Sequence, residues 1–135
     1  MKAYREMNNP ALPLDRRVQT GLMAHHSGAA AEDAVERDYS RRGHVVVQRR
    51  WRGSGGEIDL IVADGDGLIF VEVKKARTHA SAAERVSPRQ MGRIYASASE
   101  YLGCMPKGQL TDVRFDVALM DEVGRLDIIE NAFAT

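Results

Sequence analysis

Residues 56–75 read GEIDLIVADGDGLIFVEVKK, and this stretch decides the fold. Apolar runs flank Asp64-Gly65-Asp66-Gly67, a hairpin turn signal, so Ile58–Val62 and Leu68–Val73 are predicted as paired antiparallel strands. Loops of two or four residues centred between Gly65 and Asp66 give one register. It sets Asp59 opposite Glu72 and Glu57 opposite Lys74. Side chains alternate along a strand. Asp59 and Glu57 then share one face of the first strand, with Ile58 and Leu60 on the other, while Glu72 and Lys74 share one face of the second.

Outward from the hairpin, His44–Arg52 is rich in β-branched residues and reads as a third strand. Before it, Ala30, Ala31, Ala34, Val35 and Tyr39 recur at helical spacing, which predicts a helix over 28–42 with Gly43 just past its end. Residues 76–86 are small and polar and read as a mobile loop. Ser87-Pro88 opens a second helix, with Ser87 as N-cap, that ends near Gly103. Residues 112–120 and 125–130 read as closing strands around Gly124. The order α-β-β-β-α-β-β implies an α/β fold, a mixed central β-sheet flanked by helices. Residues 1–24, punctuated by Asn8-Asn9-Pro10 and Pro13, read as a flexible N-terminal arm with helix near 15–25; residues 25–135 form one domain.

No apolar run approaches the ~18 residues of a membrane span. No apolar stretch follows the N-terminal charges, so the expectation is a cytoplasmic protein with no signal peptide. The single cysteine, Cys104, cannot form an internal disulfide, and Gly103-Cys104-Met105-Pro106 offers it no activating base. His25-His26 reads as exposed linker rather than a metal site, because adjacent residues do not share a helix face.

Net charge is zero, yet the charges are segregated. Residues 41–52 carry five arginines and no acid; residues 74–93 carry six bases against Glu84 alone. This makes Arg49, Arg50, Arg52, Lys75, Arg77 and Arg89 the candidate nucleic-acid contacts. Trp51 among these arginines reads as a half-buried anchor rather than a base-stacking surface.

Directly opposed strand residues have Cβ atoms about 5 Å apart, so Asp59 and Glu72 would repel each other unless a cation lay between them. Oxygen donors suit Mg²⁺ or Mn²⁺. Lys74, two residues beyond Glu72, points the same way and can hold a water or a phosphoryl oxygen. Such a set serves metal-assisted phosphodiester hydrolysis. The competing reading is a solvated hairpin face with a Glu57–Lys74 ion pair.

The Gly56-Glu57-Ile58-Asp59-Leu60-Ile61 and Phe70-Val71-Glu72-Val73-Lys74 segments closely resemble the YraN family of endonuclease-like bacterial proteins, which is similar to Holliday-junction resolvases and other PD-(D/E)xK nucleases. The likeness runs from about Gly28 to Asp116 and includes Arg89-Gln90, Tyr101-Leu102 and Phe115-Asp116. It implies a restriction-endonuclease-like three-layer fold. It implies Asp59 and Glu72 as metal ligands, the Val73 carbonyl as a third oxygen, Glu32 as an early carboxylate joining them, and Lys74 as the catalytic lysine. Gln90 would orient a lysine, water or phosphate. Glu32 reads equally well as a solvent-facing helix residue, and Gln90 as part of an S-x-x-Q capping box with Ser87. Two positions depart from the family pattern: Arg49-Arg50-Trp51 stands where Arg-Asn usually precedes the aromatic residue, and Ala76 where an arginine usually follows the motif lysine.

The expected function is a Mg²⁺-dependent endonuclease acting on DNA, with branched or structured DNA suggested by the resolvases. Resolvase-like action calls for two active sites, hence a homodimer. The alternative is a nucleic-acid-binding module that keeps the fold with little or no activity.

Overall fold

The computed structural model describes residues 16–133, with side chains from Ala29 onward. A long helix, α1 (Arg16–Arg41), leads into β1 (Val45–Gly53), β2 (Gly56–Asp64) and β3 (Gly67–Lys75). Then come α2 (His79–Glu84), α3 (Pro88–Leu102), a 3₁₀ turn (Gly108–Leu110), β4 (Val113–Met120) and β5 (Leu126–Ile129). The five strands form one sheet in the order β1-β2-β3-β4-β5. Only β3 and β4 are parallel, and the α2–α3 segment makes the crossover that a parallel pair requires.

Apolar alternation sorts the sheet into two faces. Leu60, Val62, Ile69, Val71 and Ala118 pack with Val35 and Tyr39 of α1. Ile61, Leu68 and Phe70 pack with Ala98 and Leu102 of α3 on the opposite face. The result is the three-layer α/β arrangement expected from the sequence. Among the described residues, no helix is long and apolar enough to cross a membrane.

Three local expectations change. The first helix begins at Arg16, well before residue 28, so the backbone at His25-His26 is helical rather than linker; their side chains lie outside the described part, as do residues 1–15 of the arm. The predicted mobile loop over 76–86 contains α2, capped by the Thr78 hydroxyl, which accepts from the Ser81 N–H at 3.0 Å. Ala82 is fully buried against Val117, Leu119 and Phe133, a contact that no local pattern announces. Ile58 and Leu60 do not share a face: Ile58 packs on the α3 side and Leu60 on the α1 side, so β2 turns over at Asp59.

The hairpin register runs as predicted from Asp64–Gly67 to Leu60–Val71. Gly65, with φ of +59°, supplies the positive φ its two-residue loop needs. The β1–β2 turn is fastened to α3. Ser97 Oγ donates to the Gly56 carbonyl at 2.8 Å, and Ser54 donates through N–H and Oγ to Glu100 at 2.7 and 2.8 Å. Gly55 lies so close to the helix that a Cβ there would sit 2.5 Å from the Arg93 carbonyl oxygen.

Candidate metal and nucleic-acid site

Past Leu60–Val71 the β2–β3 ladder stops. Neither Asp59–Glu72 nor Glu57–Lys74 therefore becomes a ladder pair as predicted. Instead the Asp59 carboxylate fills the gap, and its Oδ2 accepts the Val73 N–H at 2.8 Å. The N–H and C=O of one residue in an antiparallel strand point to the same side, so the Val73 carbonyl faces the same gap. The Glu72 carboxyl is within hydrogen-bonding reach of Asp59. Glu72 is only 7% exposed. Burial, then the Asp59 carboxylate, pushes its pKa up to about 9, while Lys74 pulls the other way. Lys74 Nζ stands 3.8 Å from Glu72 Oε1.

Glu72 also forms part of the wall of a cleft of about 300 Å³ between the β2–β3 end and the start of α3. Glu57 shares its acidic wall; Arg89, Gln90 and Arg93 supply the other. Ser87 caps α3 as predicted, its Oγ accepting the Gln90 N–H at 3.1 Å. That bond uses the Gln90 backbone, and Gln90 also lines the cleft. Arg93 was absent from the sequence-based set, although its place one turn beyond Arg89 puts the two on one helix face. A second hollow of about 440 Å³ lies at the other end of the hairpin, beside Leu68, Tyr101 and Met105, away from these charges.

Glu32 projects from α1, and its Oε1 accepts from Arg50 Nε at 3.0 Å. Burial, with Asp59 and Glu57 nearby, holds its pKa above the ordinary glutamate value despite that bond. Arg49 likewise turns to α1 and pairs with Glu36. These two arginines thus engage helix glutamates. Arg52 is exposed opposite Glu57, Lys75 is half-buried, Arg89 is exposed at the cleft, and Arg77 is largely exposed, 3.8 Å from Glu122. Trp51 is half-buried edge-on to Tyr101, an anchor as expected.

Among the described residues no group of three or more His, Cys, Asp or Glu side chains is placed to hold a metal ion. The carboxylate donors at hand are Asp59 and Glu72. Two crowded carboxylates beside a backbone carbonyl are hard oxygen donors, which fits Mg²⁺ or Mn²⁺ with water filling the remaining positions. A cation there would offset both the burial and the Asp59 charge that raise Glu72.

The model of the uncharacterised protein family UPF0102, also called the YraN family, matches residues 31–120. The chain belongs to the UPF0102 family. A UPF0102 protein of Cereibacter sphaeroides is 58% identical over 115 residues, covering 85% of this chain and 98% of its own. One from Ruegeria pomeroyi is 58% identical over 113 residues, 84% and 92% of the two chains. A third, from Roseobacter denitrificans, is 48% identical over 118 residues, 87% and 92%. The UPF0102 match begins at Ala31 and ends at Met120. It thus takes in Glu32, Asp59, Glu72, Lys74 and Gln90 together.

Proposed function

We propose that this UPF0102 protein is a metal-dependent endonuclease that hydrolyses phosphodiester bonds in DNA, with branched DNA as the substrate class to test first. The observation that carries the reading is the buried Glu72 carboxyl held against Asp59, beside Lys74, where the β2–β3 ladder opens onto a cleft with a basic far wall. The sequence resemblance to PD-(D/E)xK nucleases supports it, as does the shared three-layer architecture.

Asp59, Glu72 and the Val73 carbonyl would hold Mg²⁺ or Mn²⁺, which when bound would acidify a water and offset negative charge on the phosphate. Lys74 hydrogen-bonds the attacking water or a phosphoryl oxygen and balances charge that develops in the transition state. Arg89 and Arg93, with Arg52, Lys75 and Arg77 further out, seat the sugar–phosphate chain. Gln90 orients the water or a phosphate oxygen across the cleft. Action on a four-way junction would bring two copies of the chain together, which light scattering with and without junction DNA would test.

Cleavage of single-stranded, duplex, flap and four-way-junction DNA with Mg²⁺ and with Mn²⁺ tests the reading. Asp59→Asn should abolish cleavage, at least 1,000-fold as an order-of-magnitude expectation, while metal-free DNA binding persists or tightens because a negative charge near the phosphates is gone. Lys74→Ala should also abolish cleavage, but with metal binding retained and DNA binding slightly weaker. The second reading, a binding module without catalysis, draws support from Arg49 and Arg50, which pair with helix glutamates and leave a smaller basic surface. Wild-type protein that cuts none of these substrates and shows no metal binding removable by Asp59→Asn would replace the first reading with the second.

A further inference from the structure

After β5 the chain reverses and reaches the cleft from behind. Leu126 and Ile128 of β5 pack toward α1. Further on, Phe133 is buried on the other face, among Ala82 of α2, Ile94 of α3, and Val117 and Leu119 of β4. Between them stands Asn131, whose φ of +53° is the left-handed conformation that asparagine tolerates better than most residues. Its N–H donates to Asp116 Oδ1 at 3.0 Å, and the Ala132 N–H donates to the Phe115 carbonyl at 2.7 Å. Residues 131–133 are thus tied to β4 by successive amides before Phe133 enters the core.

Phe133 meets α3 at neighbouring positions. It shares an apolar cluster with Ile94, which is buried and lines the cleft beside Arg89, Gln90 and Arg93. Tyr95 lies edge-on to its ring with centroids 5.7 Å apart, and the Tyr95 hydroxyl donates to the Phe133 carbonyl at 3.0 Å. The Phe133 ring in turn stacks on Phe115 of β4 at 5.6 Å. The second half of α3 is fastened elsewhere, through Ser97 and Glu100 to the β1–β2 turn. The two halves of the helix therefore have separate moorings, and Phe133 belongs to the half that carries the arginines. Arg89 and Arg93 are exposed, so the helix backbone beneath them decides where their guanidinium groups reach.

We propose that residues 131–133 form a strap that positions the basic wall of the cleft: Phe133 backs Ile94 and Tyr95 and so sets where Arg89 and Arg93 meet a phosphate. Phe133 touches no ligand itself; it acts through α3. A smaller side chain there would leave a void that its surroundings fill only in part. The first half of α3 would settle toward β4 and carry both arginines out of place. The consequence for phosphate rests on the nucleic-acid reading above; the mooring of α3 does not.

The full chain tests this through amide exchange along α3 and through metal-free affinity for a fluorescent four-way DNA junction at several salt concentrations. Phe133→Ala should speed exchange of the 91–95 amides about tenfold or more and leave the 99–102 amides as in wild type. Junction affinity should fall about tenfold and its salt slope should drop by about one, as when a phosphate contact is lost. In an Arg89→Ala, Arg93→Ala background the same substitution should weaken binding no further, because the groups it displaces are already gone. Phe133→Leu, a milder truncation, should give the same pattern with about a threefold loss, and it carries the test if Phe133→Ala does not fold. Unchanged affinity and salt slope in the Phe133 variants, or a loss that multiplies with that of the two arginines, would reduce Phe133 to a core residue and overturn the proposal. So would exchange that rises evenly along α3. If wild-type protein binds no junction, duplex or single strand, the nucleic-acid reading fails, and the exchange pattern alone then upholds or overturns the strap.

Discussion

Two carboxylates are buried on neighbouring strands, and their surroundings are opposite. Asp116 of β4 is 1% exposed on the α1 face. It accepts from the Tyr39 hydroxyl at 2.6 Å, from Arg114 Nε and Nη2 at 2.9 and 3.2 Å, and from the Asn131 N–H at 3.0 Å. Glu72 of β3, on the α3 face, has Asp59 for a neighbour and a lysine amine at 3.8 Å. The fold supplies four donors to the first carboxylate and a repelling carboxylate to the second. A buried charge that is fully bonded belongs to the architecture. A buried carboxyl kept beside another destabilises the chain and so points to a ligand or a reaction.

The sharpest way to break this contrast is to remove each group. Asp116→Ala would leave the Tyr39 hydroxyl and the Arg114 guanidinium without their acceptor, and should cost about 3–5 kcal/mol of unfolding free energy. A loss under about 1 kcal/mol in urea titration would mean that Asp116 is not the clamp described.

Glu72→Gln should act in the other direction. Because the folded state raises the Glu72 pKa, it binds that proton more tightly than the unfolded chain does. The wild-type fold is therefore undiminished below the ordinary glutamate range and loses stability as pH climbs toward about 9. The variant escapes that loss. Metal-free Glu72→Gln should be more stable than wild type by on the order of 2 kcal/mol at pH 8, and the two should converge near pH 4. Urea midpoints at both pH values decide this, and a variant less stable at pH 8 would contradict the account of burial and the Asp59 neighbour raising Glu72. Saturating Mg²⁺ should reverse the order at pH 8 by stabilising the wild type alone.

A smaller effect sharpens the Asp116 side. Tyr39→Phe deletes one of four donors, so Arg114 and the Asn131 N–H still serve the carboxylate. The expected cost is about 1 kcal/mol, read from the same titration. Burial and the Asp116 bond push the Tyr39 phenol well above its ordinary pKa. Its ultraviolet ionisation should accordingly be missing from the titration of the folded protein near pH 10 and should appear on unfolding in urea.

Much of this architecture was legible in residues 56–75. The turn residues fixed the hairpin register as far as Leu60–Val71, and Asp59 and Glu72 meet just past the point where that ladder stops. Ser87-Pro88 announced the start of α3 by its cap chemistry. What escaped the sequence depends on partners distant along the chain. α2 forms where Ala82 meets Val117, Leu119 and Phe133, and nothing within residues 76–86 encodes that contact. A left-handed φ of +48° falls on Arg50, a residue type that gives no warning of it. Arg49 and Arg50 read as a basic patch because composition counts charges without their partners, and those partners lie on α1. Strand alternation, applied strictly, put Ile58 and Leu60 on one face and missed the turnover between them.

The fastening of the β1–β2 turn to α3 has a mechanical consequence. Ser97 to Gly56, Ser54 to Glu100 and the close approach of Gly55 to Arg93 act over a few residues on each side. One wall of the cleft begins at this turn and the other is the first half of the same helix. The gap is therefore a fixed gauge rather than a jaw. Widening it would break all three attachments together, so under the proposed function an entering strand would itself have to bend or unstack to present its phosphate. Selection among nucleic acids would then fall on their deformability, with stiff, continuous duplex disfavoured and sites already distorted admitted at lower cost.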